Sequence, residues 1–237
     1  MPLLDTTVTA LAHEQLTFNA PLSDARAQDL LARIAVPPRD TALDLGCGWG
    51  ELLLRLVEAS AGSHGDGVDT DAEAIKRGQV AATDRGLAER VRFHEADATT
   101  WQPATEPAVV IAVGASHAWG GPLAALESIR SIVRVDGRVL FGDGFWRSGP
   151  TEELHRVFGD LPDLAGLSEI AADAGFRSLH VAESTADEWD SFESDWRAGL
   201  ELSGSAEARD VAAARRDEYL RGYRGVLGFG WLVLAPG

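Results

Sequence analysis

The chain has 237 residues, of which 45% are hydrophobic, and it carries a formal net charge of −16. This length suits one large domain, so we expect residues 1–237 to form a single domain. The negative charge disfavours nucleic acid as a partner, because another polyanion is repelled. No apolar run is long enough for a membrane span, and the first residues lack the pattern of a secretory signal. The single cysteine excludes an internal disulfide and favours the cytoplasm, while the oligomeric state stays open.

Strand and helix patterns alternate along the first 145 residues. The predicted strands are TALDL, GDGVDT, VRFHEAD, AVVIAVG and RVLFGDG. The helices predicted before and between them are AQDLLARIAV, ELLLRLVEAS, TDAEAIKRGQVAATDRG and GPLAALESIRSIVRVDG, the third beginning with a capping box of Thr70 and Glu73. This alternation predicts an α/β fold, a doubly wound and mostly parallel sheet with helices on both faces.

The second part of the chain is richer in helix. TEELHRVF and LSEIAADAGF are predicted helices, RSLHVAES is a strand, residues 186–225 are long, charged and helical, and LGFGWLVLAP is a final apolar strand. Because residues 8–20 and 186–225 add helices to the basic α/β pattern, we expect them to form cap segments over a substrate.

Three glycines follow the first predicted strand in the segment ALDLGCGWGE. Gly46, Gly48 and Gly50 form a strand-to-helix turn, which is a nucleotide-binding signal, and Asp44 precedes the first glycine by two residues. The spacing G-x-G-x-G differs from the dinucleotide fingerprint G-x-G-x-x-G. With the loops that follow the next three strands, it resembles class I S-adenosylmethionine-dependent methyltransferases over about residues 28–145. The alternative for the glycines alone is a plain tight turn.

The resemblance implies a seven-stranded sheet, S-adenosylmethionine as cofactor and a set of cofactor-binding positions. Asp69 follows the second strand and has two oxygens for the ribose hydroxyls, unless it, Thr70 or Asp71 only caps the next helix. After the third strand, Asp97 would accept the adenine amino group, and the backbone N–H of the next residue would meet the ring, unless Asp97 is only a turn aspartate. The predicted cofactor-binding residues are Asp44, Gly46, Cys47, Gly48, Asp69, Thr70, Asp97 and Ala98.

The loop after the fourth strand, VGASHAWGG, lies where this family places groups that face the methyl. His117 is the predicted catalytic residue, as a base or as an orienting group, and the alternative is a structural histidine. Aromatic rings in loops and cap segments can line an apolar acceptor pocket. The predicted substrate-binding residues are Phe18, Trp49, Ser116, Trp119, Trp146 and Tyr223.

The sequence therefore predicts a methyltransferase that acts on an O, N or C atom of a small molecule by in-line displacement. No histidine or cysteine spacing suggests a metal site. A cysteine-nucleophile route to cytosine methylation is excluded, because the only thiol, Cys47, lies in the cofactor loop. Two alternatives stay open at this point: a non-catalytic protein of the same fold that binds the cofactor or serves as a scaffold, and a nucleotide-cofactor oxidoreductase.

Overall fold

The computed structural model describes residues 6–237, apart from the side chains of residues 6, 7 and 9. The strands are β1 Thr41–Leu45, β2 His64–Asp69, β3 Val91–Glu95, β4 Val109–Val113, β5 Arg138–Trp146, β6 Phe176–Glu183 and β7 Leu227–Pro236. The helices are α1 Thr6–His13, α2 Asp24–Arg33, α3 Glu51–Glu58, α4 Ala72–Asp84, α5 Pro122–Ile132, α6 Glu152–Phe158, α7 Leu164–Asp173, α8 Ala186–Leu202 and α9 Ala206–Glu218. A 3₁₀ turn spans Ser116–Trp119, and a π-helical turn spans Tyr219–Tyr223.

The seven strands form one mostly parallel sheet in the order β3-β2-β1-β4-β5-β7-β6. The pairs β1·β2, β1·β4, β2·β3 and β4·β5 are parallel. Parallel strands are buried on both faces, and their side chains form a continuous apolar core with α5 and α7. The predicted α/β class and doubly wound sheet are confirmed. Because β1 to β4 run parallel, their carboxyl ends share one edge, where ligands bind in open α/β sheets.

The chain divides into two compact units. The larger contains residues 24–143, 165–182 and 230–237, and it includes most of the sheet. The smaller contains residues up to 23, 144–164 and 183–229, and within it α1 packs against α8. The predicted cap segments 8–20 and 186–225 belong to the smaller unit. Residues 14–20 of the first segment follow α1 as turns and bends.

Two local predictions are wrong. Asp71, not Thr70, is the N-cap of α4, because its side chain accepts hydrogen bonds from the backbone N–H groups of Glu73 and Ala74. Trp146 does not lie in a loop, because β5 continues to that residue.

Within residues 6–237, no helix combines the length and apolar character that a membrane crossing requires.

Candidate functional site

The glycine loop forms a tight turn directly after β1. The N–H groups of Gly46 and Cys47 both donate to the carbonyl of Val68 on β2, at 2.9 and 3.0 Å. Gly46 has φ +71°, and a Cβ at this position would collide with the Cβ of Ala115 after β4. Its missing side chain therefore lets the loops after β1 and β4 approach each other.

Gly48 has a different environment. Its φ is +54°, and an added Cβ would have no protein atom within 4 Å. The backbone conformation favours glycine here, but protein packing leaves the space beside it open. An open space beside a strand-to-helix turn fits a bound ligand better than it fits a turn that only connects two elements.

Asp69 joins the glycine loop to the end of β2. Its Oδ2 accepts the N–H of Gly48 at 2.7 Å, and its Oδ1 accepts the N–H of Asp71 at 2.9 Å. A carboxylate oxygen has two lone pairs, so each oxygen can accept one more hydrogen bond. This geometry fits a pair of ribose hydroxyls. Thr70, the neighbouring predicted residue, is exposed.

Asp97, after β3, is the predicted adenine-binding residue. The backbone N–H of Ala96 donates to the carbonyl of Asp69 at 2.9 Å, which places the end of β3 beside the end of β2. The N–H and hydroxyl of Thr99 both donate to Oδ1 of Asp97. They lower the pKa of this carboxyl and leave its second oxygen for another donor. Ala98 is half-buried against the main core.

Asp44 is only 4% exposed at the end of β1. Burial, and secondarily the charge of Asp69, raises the pKa of Asp44 from 3.8 to about 8. The neighbouring Cys47 donates to the carbonyl of Gly48 at 3.3 Å, and burial together with Asp44 and Asp69 raises the pKa of its thiol. The charged groups that raise the pKa values of Asp44 and Cys47 are both acids, Asp69 and Asp44, and a site with this charge fits a cationic ligand.

This carboxyl group predicts a pH dependence. Between about pH 4 and 8 the folded state retains the Asp44 proton that the unfolded state has lost, so the free energy of unfolding falls as pH rises through this window. A cationic cofactor favours the ionised carboxylate, so S-adenosylmethionine should bind more tightly, with proton release, as pH rises towards 8. Titration calorimetry in buffers of different ionisation enthalpy measures the affinity and the number of protons released on binding. Asp44→Asn should remove the pH dependence of the affinity and the proton release, and an unchanged affinity between pH 6 and 9 in the wild type would contradict the prediction.

The 3₁₀ turn after β4 carries three of the predicted residues. Ser116 is buried, Trp119 is half-buried against the main core, and His117 is exposed. His117 Nδ1 lies 3.1 Å from the carbonyl oxygen of Gly114. Because a carbonyl only accepts, Nδ1 carries the proton, and in the neutral ring Nε2 has a lone pair for a proton or a donor.

Trp49, another predicted substrate-binding residue, is buried in the glycine loop, two residues before α3 begins. The guanidinium of Arg77 from α4 lies over its ring, 4.0 Å from the centroid. Such a stack is a cation–π interaction within the protein, so one face of this ring is already occupied.

A cavity of about 480 Å³ lies in the smaller unit. Its walls come from residues 19–21, from α6 and from the segment between Trp189 and Phe229. Tyr223 lines it, whereas the predicted residues Phe18 and Trp146 are buried in the same unit and do not line it. The sequence prediction did not include α6 and its N-cap Thr151 among the cavity walls, because the residues concerned form no recognisable motif: Thr151, Glu153, Leu154, Val157 and Phe158.

Two acid–arginine–tyrosine groups connect α8 to the helices that follow it. Glu193 is fully buried, and it accepts hydrogen bonds from Arg215 Nε at 2.9 Å, Arg215 Nη2 at 2.8 Å and the Tyr223 hydroxyl at 2.8 Å. The sequence prediction did not include Glu193 or Arg215. Their ion pair could not be predicted from the sequence, because the two residues are 22 positions apart and lie on different helices.

The second group has the same donors at a more exposed position. Asp190 accepts hydrogen bonds from the Tyr219 hydroxyl at 2.6 Å and from Nε and Nη2 of Arg224, both at 2.8 Å. Its side chain is 40% exposed. Arg224 and Tyr219 lower the pKa of Asp190 to about 2.

The chain is similar to several known proteins. Residues 42–137 match the family described as a methyltransferase domain. The chain is 27% identical over 245 residues to the uncharacterized protein YjhP of Escherichia coli (strain K12), covering 96% of each chain. It is 27% identical over 238 residues to a trans-aconitate 2-methyltransferase of Streptomyces coelicolor, covering 84% of this chain and 73% of the relative.

The fold also matches a solved structure. The SAM-dependent methyltransferase of Geobacter sulfurreducens, crystallised with S-adenosyl-L-homocysteine, superimposes with a TM-score of 0.88. The two proteins are 24% identical, and the match covers 99% of this chain and 100% of that one. A likeness over the whole length shows that both units of this chain occur in another protein of the same fold.

Proposed function

Because the chain belongs to the class I S-adenosylmethionine-dependent methyltransferases, we propose that it methylates a small molecule bound in the cavity of the smaller unit. The observation that carries this proposal is the cavity itself. Its volume of about 480 Å³ and its aromatic walls are typical of sites for small organic ligands. The trans-aconitate methyltransferase among the relatives supports an acceptor of this size class.

The larger unit holds the cofactor in this proposal. Asp69 binds the ribose, Asp97 and Ala98 bind the adenine, and the open space beside Gly48 accepts the methionine part. Asp44 faces the positive charge, while Gly46, Cys47 and Thr70 complete the loops around it. The cofactor supplies an activated methyl group on a positive sulfur, and the protein's task is to align the acceptor and exclude water.

His117 is the residue that we propose to act on the acceptor. With Nδ1–H donated to Gly114, Nε2 is available to take a proton from a hydroxyl or to orient an amine or carbon acceptor. Of the predicted acceptor-binding residues, Tyr223 lines the cavity. The others do not line it, so contact with an acceptor stays a prediction for Phe18, Trp49, Ser116, Trp119 and Trp146. Residues 8–20 and 186–225 are the proposed cap segments. The single cysteine of the chain supports the cytoplasm as the place where the protein acts.

Methyl transfer is tested with S-adenosylmethionine labelled on the methyl group and a fractionated metabolite extract. Label should appear in a small organic product with wild-type protein. If His117 is the base, His117→Ala should lower the single-turnover rate about 10²–10⁴-fold. If His117 only orients the acceptor, the loss of rate in the variant should be smaller.

His180→Ala is the matched control, because His180 lies on β6 near Arg26, Asp29 and Arg33 and has no role in the proposed reaction. It should keep the wild-type rate. Absence of any labelled product with folded, cofactor-binding protein would overturn the proposed function, and a full rate in His117→Ala at every pH would overturn the role of His117.

A further inference from the structure

The strand β6 forms one edge of the sheet, where its single neighbour is β7. Directly before β6, the carbonyl of Gly175 accepts the N–H of Gly237 at 2.9 Å. Directly after β6, the N–H of Ser184 donates to the carbonyl of Phe229, also at 2.9 Å. The start of β6 therefore lies beside the end of β7, and the two strands are antiparallel.

The other side of β6 is open. The N–H of Ser184 points to β7, and backbone groups alternate in direction along a strand, so those of four residues point away from β7. These residues are Arg177, Leu179, Val181 and Glu183. Among the described residues, no group outside the two strands hydrogen-bonds to their backbone. An edge strand of eight residues with such open backbone groups is a template for pairing with another chain.

The side chains of β6 are complementary to a second copy of the same strand. Consider two copies that pair antiparallel, with His180 opposite His180. Leu179 then lies opposite Val181, and two-fold symmetry gives this contact twice. Arg177 lies opposite Glu183, again twice. These four side chains share one face of β6 and are all exposed, and their backbone groups are the ones that point outward.

This register is the one that pairs opposite charges. A shift by two residues in either direction, which keeps the same backbone groups in contact, places Arg177 opposite Val181 or Thr185. Glu183 then no longer meets an arginine of the second copy. The register centred on His180 also brings together the large apolar side chains that β6 exposes, Leu179 at 49% and Val181 at 39%.

Both charged residues can still bind a partner. Arg177 Nη2 donates to the carbonyl of Pro236 at a long 3.4 Å, and Arg147 Nη2 lies 3.2 Å from Oε2 of Glu183. The Glu183 side chain is 43% exposed. A carboxylate has lone pairs for a second arginine, and a guanidinium has further N–H donors, so these existing contacts do not prevent the pairing.

From the open edge and its complementarity we propose that β6 pairs with β6 of a second copy of this chain, in the register centred on His180, and forms a two-fold dimer. The two sheets then continue into each other. One strand pair is a small contact, and each copy carries a net charge of −16, so the dimer is in reversible equilibrium with the monomer. The pairing does not depend on methyl transfer.

Sedimentation velocity at physiological ionic strength, where repulsion between the copies is screened, measures the association. Between about 1 and 100 µM the wild type should pass from monomer to dimer, which is the affinity range of a small interface.

Reversal of one charge tests the register. Arg177→Glu places like charges opposite each other at two positions of the dimer, and so does Glu183→Arg. Each variant alone should dimerise about tenfold more weakly than the wild type, or worse. An equimolar mixture of the two variants should form a heterodimer about as readily as the wild type dimerises, because opposite charges then face each other at both positions.

Lys76→Glu is the matched control. It changes the net charge by the same amount at an exposed position of α4, which packs against β2 and β3 at the other end of the sheet. This variant should dimerise like the wild type.

Hydrogen exchange locates the contact without relying on a variant. In the wild type, the outward N–H groups of Leu179 and Val181 should exchange more slowly as the protein concentration rises. Those of Ser178 and Ala182 point to β7, so their exchange should change much less. A wild type that stays monomeric up to about 100 µM would overturn the proposal. So would a mixture of the two charge variants that fails to associate, or a dimer in which Leu179 and Val181 exchange as fast as in the monomer.

Discussion

Gly48→Ala is expected to weaken S-adenosylmethionine binding about 10- to 100-fold, since forcing a methyl group into occupied space costs about 1–3 kcal/mol. The reason is specific to this position. A Cβ at Gly48 meets no protein atom within 4 Å, so the added methyl should interfere with the ligand and not with the fold. Calorimetric titration of the variant with S-adenosylmethionine measures the loss.

The control for this variant is Gly86→Ala. Gly86, after α4, also has positive φ, +68° against +54° for Gly48, and its Cβ position is equally open. Alanine should therefore introduce similar backbone strain at both positions. Both variants should lose similar stability, and only Gly48→Ala should lose affinity. Wild-type affinity in a folded Gly48→Ala protein would refute the assignment of the glycine loop to the cofactor.

Glu193→Gln should lower the free energy of unfolding by about 3–5 kcal/mol, which is typical of breaking a buried ion pair. The substitution leaves the Arg215 guanidinium, whose side chain is only 17% exposed, without a countercharge. Urea denaturation followed by circular dichroism measures the change. The double variant Glu193→Leu with Arg215→Met should recover most of the loss, because it removes both charges from the interior.

The exposed group on the same helix serves as the control. Asp190→Asn loses the same kinds of partner, a bidentate arginine and a tyrosine hydroxyl, but at a side chain that is 40% exposed. Surface ion pairs contribute about 0–1 kcal/mol, so this variant should be nearly as stable as the wild type. If Asp190→Asn and Glu193→Gln lowered the free energy of unfolding equally, burial would not determine how much these ion pairs contribute to stability.

The parallel sheet was predictable because its strands follow simple local rules. β4 is a continuous apolar run, and β7 begins and ends where the apolar sequence LGFGWLVLAP does. β2 was less evident, since Val68 is its only large apolar residue. The structure explains why this strand has few apolar side chains. A Cβ at Gly67 would lie only 3.0–3.1 Å from Cys47 Sγ and the Phe93 ring, so these neighbours fill the space that a side chain would need.

The candidate site was predictable to different degrees in the two units. The loops after β1, β2 and β3 carry short motifs, and hydrogen bonds link Asp69 both to Gly48 and to the end of β3. Their roles in binding remain predictions. The cavity residues come from three separate stretches of sequence, and Glu193 pairs with Arg215 only when α8 and α9 pack. Such long-range pairing leaves no signal in the local sequence. The aromatic residues therefore predicted that a pocket exists, but not which residues line it.

The state of the Cys47 thiol has a practical consequence for experiments on this protein. Its pKa is raised by burial and by two neighbouring carboxyl groups, so the thiol stays protonated at neutral pH, and protonated thiols react slowly with alkylating reagents. It is also the only cysteine in the chain. A cysteine introduced at an exposed site such as Leu202 should therefore take up a maleimide fluorophore or spin label selectively, with Cys47 left in place.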